Sequence, residues 1–399
     1  MDNTQQQNFK EVFPTLLANP ALAYFDSAAS TQTHASVLTA MNQYYEQERC
    51  NVHRGDYELS RVVSDKVDKA RAQVADLIGA TPEQVIFTAG ATDGLNMVAS
   101  WMEAVKTVFI TDAEHTANIL PWVAQGRTID NGRLIVLATH ADGAIDLASA
   151  DSAFAKHPES VLSIIATSNV SGATTEWGTL ATMAKRHGMT VCIDGCQTIS
   201  SHRIDFKQHD AVDFAVFSSH KMFGPTGTGI LYCKHDCTQL KPVRFGGGTV
   251  NHYDFSGNID YYEGPAKHEP GTPNIAGIIG TGVAAEWINY VGYDTILNKL
   301  DSIHRYLIEL GIYNIDGLSA VNDDTTNVIS FRCKAHPSDI GALMGSNHTA
   351  VRAGKLCAHP YVNKLSSNGV LRVSWHVYNT DEDCEQLVNQ LWKATKKLT

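Results

Sequence analysis

Seven short apolar runs, spaced through residues 85 to 233 with helical patterns between several of them, constrain this chain more than any other feature. They are "VIFT" (85–88), "TVFIT" (107–111), "LIVLAT" (134–139), "VLSIIAT" (161–167), "TVCID" (190–194), "DFAVFS" (213–218) and "GILYC" (229–233). Fully apolar strands separated by helices imply a mostly parallel sheet covered on both faces. One helix precedes the sheet, because Val63, Val67, Ala70, Val74 and Leu77 recur at helical spacing and Gly79 closes it. "LATMAKRHG" (180–188) is another helical segment.

The texture changes after the Gly-rich "RFGGGTV" (244–250) and the turn-forming "EPGTPN" (269–274). Helices dominate from about 275 to 311, followed by strand-like "NVISFRC" (327–333), "AVR" (350–352) and "VLRVSW" (370–375). A last helix carries Cys384, Leu387, Leu391, Ala394 and Leu398 on one stripe. The expected fold is α/β, with a large domain over 20–280 built on a mostly parallel seven-stranded sheet. A smaller α+β domain is expected over 281–399, together with 1–19.

Charge and cysteine usage narrow the function classes. With 31 basic against 42 acidic side chains, a net charge of −11 and no basic run, nucleic acid is not an expected partner. No run of about 18 apolar residues is present to span a bilayer. "MDNTQQQNFK" lacks the charged and apolar regions of a secretory signal. Eight cysteines scattered over 399 residues suggest reduced thiols and a cytoplasmic protein. Cys192/Cys196 and Cys233/Cys237 have C-x₃-C spacing rather than the usual C-x₂-C of zinc sites. Cys192 and Cys233 also fall inside strand-like runs, so no metal is expected.

In an open α/β sheet, ligands sit beyond the carboxyl ends of the strands. After "VIFT" comes "AGATDGLN", which reads either as a phosphate cradle of helix N–H groups with the Thr92 hydroxyl or as an ordinary loop and N-cap. His115 follows "TVFIT", and Asn169 follows "VLSIIAT". Asp194 ends "TVCID"; a carboxylate there is either an N-cap or the partner of a protonated ring nitrogen. Ser218, Ser219, His220 and Lys221 follow "DFAVF". A phosphate cradle, an aromatic platform, a carboxylate and a lysine on one sheet edge are together what pyridoxal 5'-phosphate needs. The carboxylate keeps the pyridine nitrogen protonated, and the lysine forms a Schiff base with the aldehyde.

The chain resembles the fold-type I pyridoxal-phosphate transferases of the class V aminotransferase family, and within them the group II (SUF-type) cysteine desulfurases. The resemblance runs from "YFDSAAS" (24–30) to the C-terminal helix. It rests on "NVHRG" (51–55), "EHTANILPW" (114–122), "SNVSG", "IDGCQ" (193–197), "FSSHKMFGPTGTG" (217–229), "EPGTPN", "RAGKLCAHP" (352–360) and "LRVSWHVYNT" (371–380).

The resemblance implies that Lys221 carries the cofactor, Asp194 pairs with the pyridine nitrogen, and Gln197 bonds the ring hydroxyl. His115 would stack on the ring and shuttle protons. Thr92, Ser218 and His220 would hold the phosphate, and Thr272 would reach it from a second subunit, so that a homodimer is implied. Asn169 and Arg372 would bind the substrate carboxylate, with His53 and Arg54 at the entrance. Cys357 would attack the substrate sulfur and keep it as a persulfide for an acceptor protein. Its loop carries Arg352, Lys355 and His359, a positive setting that favours thiolate.

Four positions depart from the family pattern. Ala91 stands where a threonine is frequent, which removes a phosphate contact. Thr116 replaces a second histidine, Cys196 an alanine and Ser219 a glycine. The implied activity is conversion of L-cysteine to L-alanine. A selenocysteine lyase acting on L-selenocysteine, a C–S β-lyase or an aminotransferase on the same scaffold is the alternative.

Overall fold

The computed structural model describes residues 9–53, 55–140, 142–322 and 327–399. All seven apolar runs form strands of one sheet, in the spatial order 85–88, 229–233, 214–218, 190–194, 161–165, 108–111 and 134–137. Gly229–Cys233 is antiparallel to both its neighbours, and the other pairings are parallel. Six strands therefore deliver their carboxyl ends to one edge. Val161–Ile165 and Phe214–Ser218 are buried along their whole length, as strands covered on both faces must be.

The helix Glu58–Leu77 buries Val63, Val67, Ala70, Val74 and Leu77, and Gly79 takes the left-handed conformation (φ 63°) just past its end. Each such side chain stabilises the fold by roughly 1.5–3 kcal/mol when fully buried. It packs on the helix Ile275–Val291, which also lies against Ala35–Gln47. Ile275–Val291 runs unbroken through residue 280, and the chain turns at Gly292 (φ 79°) into the helix Tyr293–Glu309.

A second, antiparallel sheet has the order 318–320, 328–333, 370–374 and 352–354. The segment read as a strand at 350–352 is in fact two. Thr349–Ala350 pairs in parallel with Ala23–Tyr24, while Arg352–Gly354 joins the small sheet. The final helix, Asp381–Leu398, buries Cys384, Leu387, Leu391 and Ala394, but Leu398 is exposed in its last turn. A hairpin of Val250–Tyr253 and Ile259–Tyr261 was not expected, because its strands are short, polar and largely exposed.

All eight cysteines are free thiols. Cys192, Cys196, Cys233 and Cys237 lie in one apolar cluster, acting as small hydrophobes. Among the described residues, no three His, Cys, Asp or Glu side chains converge as a metal site would require, and no helix is long and apolar enough to cross a membrane.

Candidate active site

The carboxyl edge of the large sheet faces the small sheet across a cavity of about 300 Å³. Lys221, Asp194, His115, Arg372, Asn169 and Cys357 are among its lining residues. Lys221 ends a single 3₁₀ turn, Ser219–Lys221, that leaves directly from the strand Phe214–Ser218. Its position therefore follows from a buried strand and one tight turn.

At one end of the cavity the helix Ala91–Trp101 begins. Its N-cap, Gly90, offers no side chain, so the first N–H groups are not capped from within the helix. Ser218 Oγ accepts from Ala91 N at 3.0 Å, which leaves the Ser218 proton free to donate. Thr92 and His220 line the same end. Burial and the neighbouring Lys221 charge push His220 down to about 4, so its imidazole is neutral. Gly229 lets two backbones meet here, since a Cβ on it would lie 2.4 Å from Gly90 Cα. This donor set suits a phosphate group. Alanine at position 91 brings no hydroxyl, and its N–H is already given to Ser218 Oγ.

Deeper in, Asp194 ends the strand Thr190–Asp194 and is 4% exposed. Its Oδ1 accepts from Cys196 N at 3.1 Å. Cys196 Sγ lies 3.8 Å from Ser218 Oγ, and burial keeps this thiol protonated by raising its pKa far above the usual range. Glu114, wholly buried nearby, accepts from Thr111 Oγ1 (2.6 Å), Ile165 N (3.0 Å) and Asn118 Nδ2 (2.7 Å), tying together two strand ends beneath the cavity floor. Burial raises its pKa to about 7.

His115 opens the turn after the strand Val108–Thr111, and its Nδ1 accepts from Ala117 N at 3.1 Å. That bond leaves the proton on Nε2 in the neutral ring. Burial first, and then the Lys221 charge, lower its pKa.

On the opposite wall, Arg372 is 2% exposed and donates through Nη2 to Asp26 Oδ1 (3.0 Å) and through Nη1 to Asn169 O (2.9 Å). Its Nε is buried without a partner, as is Asn169 Oδ1. Two orphaned polar atoms on one small cavity mark a place where a polar ligand would be satisfied. Arg352, half-exposed, grips the same Asp26 through Nε and Nη2. The Asn169 amide nitrogen donates one of its two protons to Leu356 O at 2.8 Å, while its Oδ1 acceptor has no partner.

Cys357 is exposed at the mouth of the cavity. Arg352 contributes positive charge near it. The Lys355 ammonium is instead held by the Ser366 and Ser367 carbonyls at 3.0 and 2.6 Å.

Several expected site residues stand apart. Gln197 donates to Ala28 O at 2.7 Å and does not line the cavity. Thr272 and His53 line a separate cleft of about 800 Å³, together with Asn51, Arg71 and Glu269. Arg54 lies outside the described residues. Sequence reasoning missed Asp26 and Glu114. Both stood inside quoted motifs, but Asp26 meets partners 326 and 346 residues away, and Glu114 reveals its role only through donors on two strands.

The chain belongs to the aminotransferase class-V family, whose profile matches residues 23–387. Enzymes of that family use pyridoxal phosphate. It is 34% identical over 395 residues to a probable cysteine desulfurase of Staphylococcus aureus (strain COL), covering 94% of this chain and 92% of that protein. A cysteine desulfurase of Escherichia coli O127:H6 is 34% identical over 392 residues, covering 94% of each. The crystal structure of the cysteine desulfurase CsdA (S-sulfonic acid) from Escherichia coli superposes with a TM-score of 0.90, at 29% identity over 100% of both chains.

Proposed function

We propose that this protein is a cysteine desulfurase. It moves the sulfur of L-cysteine onto Cys357, releases L-alanine, and passes the sulfur from the Cys357 persulfide to an acceptor protein. The observation that carries this reading is a single cavity that puts a lysine, a buried carboxylate, a buried arginine with an unmade hydrogen bond and an exposed cysteine on facing walls.

Pyridoxal phosphate fits the residues present, with Lys221 Nζ for its aldehyde, Asp194 for its ring nitrogen, and Ser218, His220, Thr92 and the first N–H groups of Ala91–Trp101 for its phosphate. Bound there, it supplies an electron sink for a carbanion at the substrate Cα. Arg372 holds the substrate carboxylate and fixes which bond at Cα faces Lys221. The Lys221 amine takes the Cα proton. Neutral His115 presents Nε2–H over the cavity and relays a proton toward the carbon that gives up its sulfur. The Cys357 sulfur attacks the substrate sulfur; the S–S bond forms as the C–S bond breaks, and the carbon left behind is protonated to alanine.

The enzyme is proposed to act as a cytoplasmic homodimer. The Thr272–His53 cleft and the exposed Tyr253, Phe255 and Ile259 on the hairpin support that arrangement, because they give a second copy both a concave and an apolar surface. Alanine release from L-cysteine, by wild type and by Cys357→Ala with cofactor and reductant present, tests the reading. Alanine from wild type only is the expected result. Equal alanine from both would make the protein a lyase, and bound cofactor with no alanine from either would mean a different substrate.

A further inference from the structure

Cys357 sits in an improbable backbone. Ala358 N donates to Lys355 O at 2.9 Å, closing a four-residue turn whose central residues, Leu356 (φ 54°) and Cys357 (φ 53°), are both left-handed. Positive φ at both central positions is the pattern of a type I′ turn, which favours Asn and Gly because a Cβ crowds the backbone there. Leucine and cysteine gain nothing locally from this conformation, so neighbouring groups must impose it.

The neighbours are specific. The Leu356 side chain is buried in a cluster with Ala113, Val170 and Tyr361. The Leu356 carbonyl accepts from Asn169 Nδ2. The Cys357 carbonyl accepts twice from one residue, from Thr116 N at 2.6 Å and from Thr116 Oγ1 at 2.5 Å. Both carbonyls of the strained pair are thus fixed by the two loops that carry the rest of the chemistry. Thr116 follows His115 directly, and Asn169 O is the acceptor of Arg372. The turn is registered against the proton-relay side and the carboxylate side of the cavity together.

We infer that Thr116 is a positioning residue for sulfur transfer: its hydroxyl and N–H clamp the Cys357 carbonyl, hold the Leu356–Cys357 turn in its left-handed form, and so aim the thiol into the cavity. The threonine hydroxyl reaches the same carbonyl as its own N–H. The clamp is made entirely of neutral hydrogen bonds, so it can release and re-form as the sulfur is handed on.

Thr116→Val keeps the branched shape and the N–H and removes only the hydroxyl, while Thr116→Ser restores it. Hydrogen exchange of the cofactor-loaded enzyme is followed at the Ala358 amide, alongside kcat and KM for L-cysteine. The kinetic arm rests on the desulfurase reading; the exchange arm does not. Loss of one neutral hydrogen bond predicts exchange at Ala358 about fivefold faster and kcat about fivefold lower, with KM unchanged. These changes should be confined to the 355–358 turn in Thr116→Val and absent in Thr116→Ser. Unchanged exchange at Ala358 in Thr116→Val would overturn the clamp. So would faster exchange spread over the whole protein, or a Thr116→Ser enzyme that behaves like the valine variant. A wild type that releases no alanine from L-cysteine would overturn the desulfurase reading, and the exchange result would still decide the clamp.

Discussion

Lys221 and Cys357 line the same cavity and are held by opposite means. Lys221 comes off a strand buried over its whole length, through one 3₁₀ turn, so the sheet itself fixes it. Cys357 is exposed, stands on a doubly left-handed turn, and is kept there by bonds from Asn169 and Thr116 on the facing wall. Under the proposed function, the group that meets the cofactor aldehyde in every cycle is built into the core. The group proposed to face inward to collect sulfur and outward to deliver it is held by contacts that can be undone. Rigidity and release are thus divided between the two nucleophiles.

The sharpest way to break this comparison is at the rigid partner. Lys221→Ala should reduce alanine release to the background rate, because no other amine among the lining residues can take its place. Borohydride treatment of wild type should fix the cofactor on Lys221, and the variant should give no such adduct. Normal turnover by Lys221→Ala would remove the basis for calling this side of the cavity essential.

A smaller effect is expected where the two sides share a residue. Asp26 bonds both buried Arg372 and half-exposed Arg352, so Asp26→Asn leaves a buried guanidinium without its counter-charge. The Arg372 pair should account for most of a loss of about 3 kcal/mol in unfolding free energy, measured in urea. The exposed Arg352 pair adds little. A loss under about 1 kcal/mol would mean that the guanidinium finds other partners or water.

A third effect, absent near neutral pH, belongs to the core behind Lys221. His376 is completely buried, its Nδ1 accepts from Val377 N, its Nε2 has no partner, and its ring meets Phe223 edge-on at 4.6 Å. Burial pushes its pKa from 6.5 to about 3. Below pH 6.5 the unfolded chain takes up a proton that the folded chain refuses until about pH 3, so stability falls as the solution is acidified across that window. The contribution is about 1.4 kcal/mol per pH unit, and His376→Phe should remove it, giving a flatter plot of unfolding free energy against pH. Parallel plots for the two proteins would show that His376 opens to water in the folded state.

What could be read from the sequence follows the same division. The strands were legible because Val, Ile and Phe runs need cover on both faces, and Asp194 and Lys221 were legible because a polar group ending such a run calls for a reason. The helix Glu58–Leu77 declared itself by spacing alone. The holding of Cys357 was not legible. Nothing in "KLCA" signals positive φ at leucine and cysteine, since neither central position holds the glycine or asparagine that would normally announce it, and the enforcing bonds come from residues 116 and 169. Asn169 was expected at the carboxylate; that one of its amide protons goes to Leu356 O is a contact no spacing rule could supply. The hairpin at 250–261 escaped because exposed, polar strands carry no period-2 signal.

The segment from Ala23 to His34 acts as a mechanical strap. Its first half is stitched beside and onto the small sheet: Ala23 and Tyr24 pair with Thr349 and Ala350, just ahead of the edge strand Arg352–Gly354, and Asp26 bridges to Ser374 within that sheet. Its second half is fastened beside the lysine, where Thr31 N donates to His220 O and Phe223 N donates to Thr31 Oγ1. Any tilt of the small sheet therefore pulls on main-chain atoms within two residues of Lys221. The wall that carries the arginines and the floor that carries the lysine are thus joined by one continuous stretch of main chain, which gives a displacement of either side a direct route to the other.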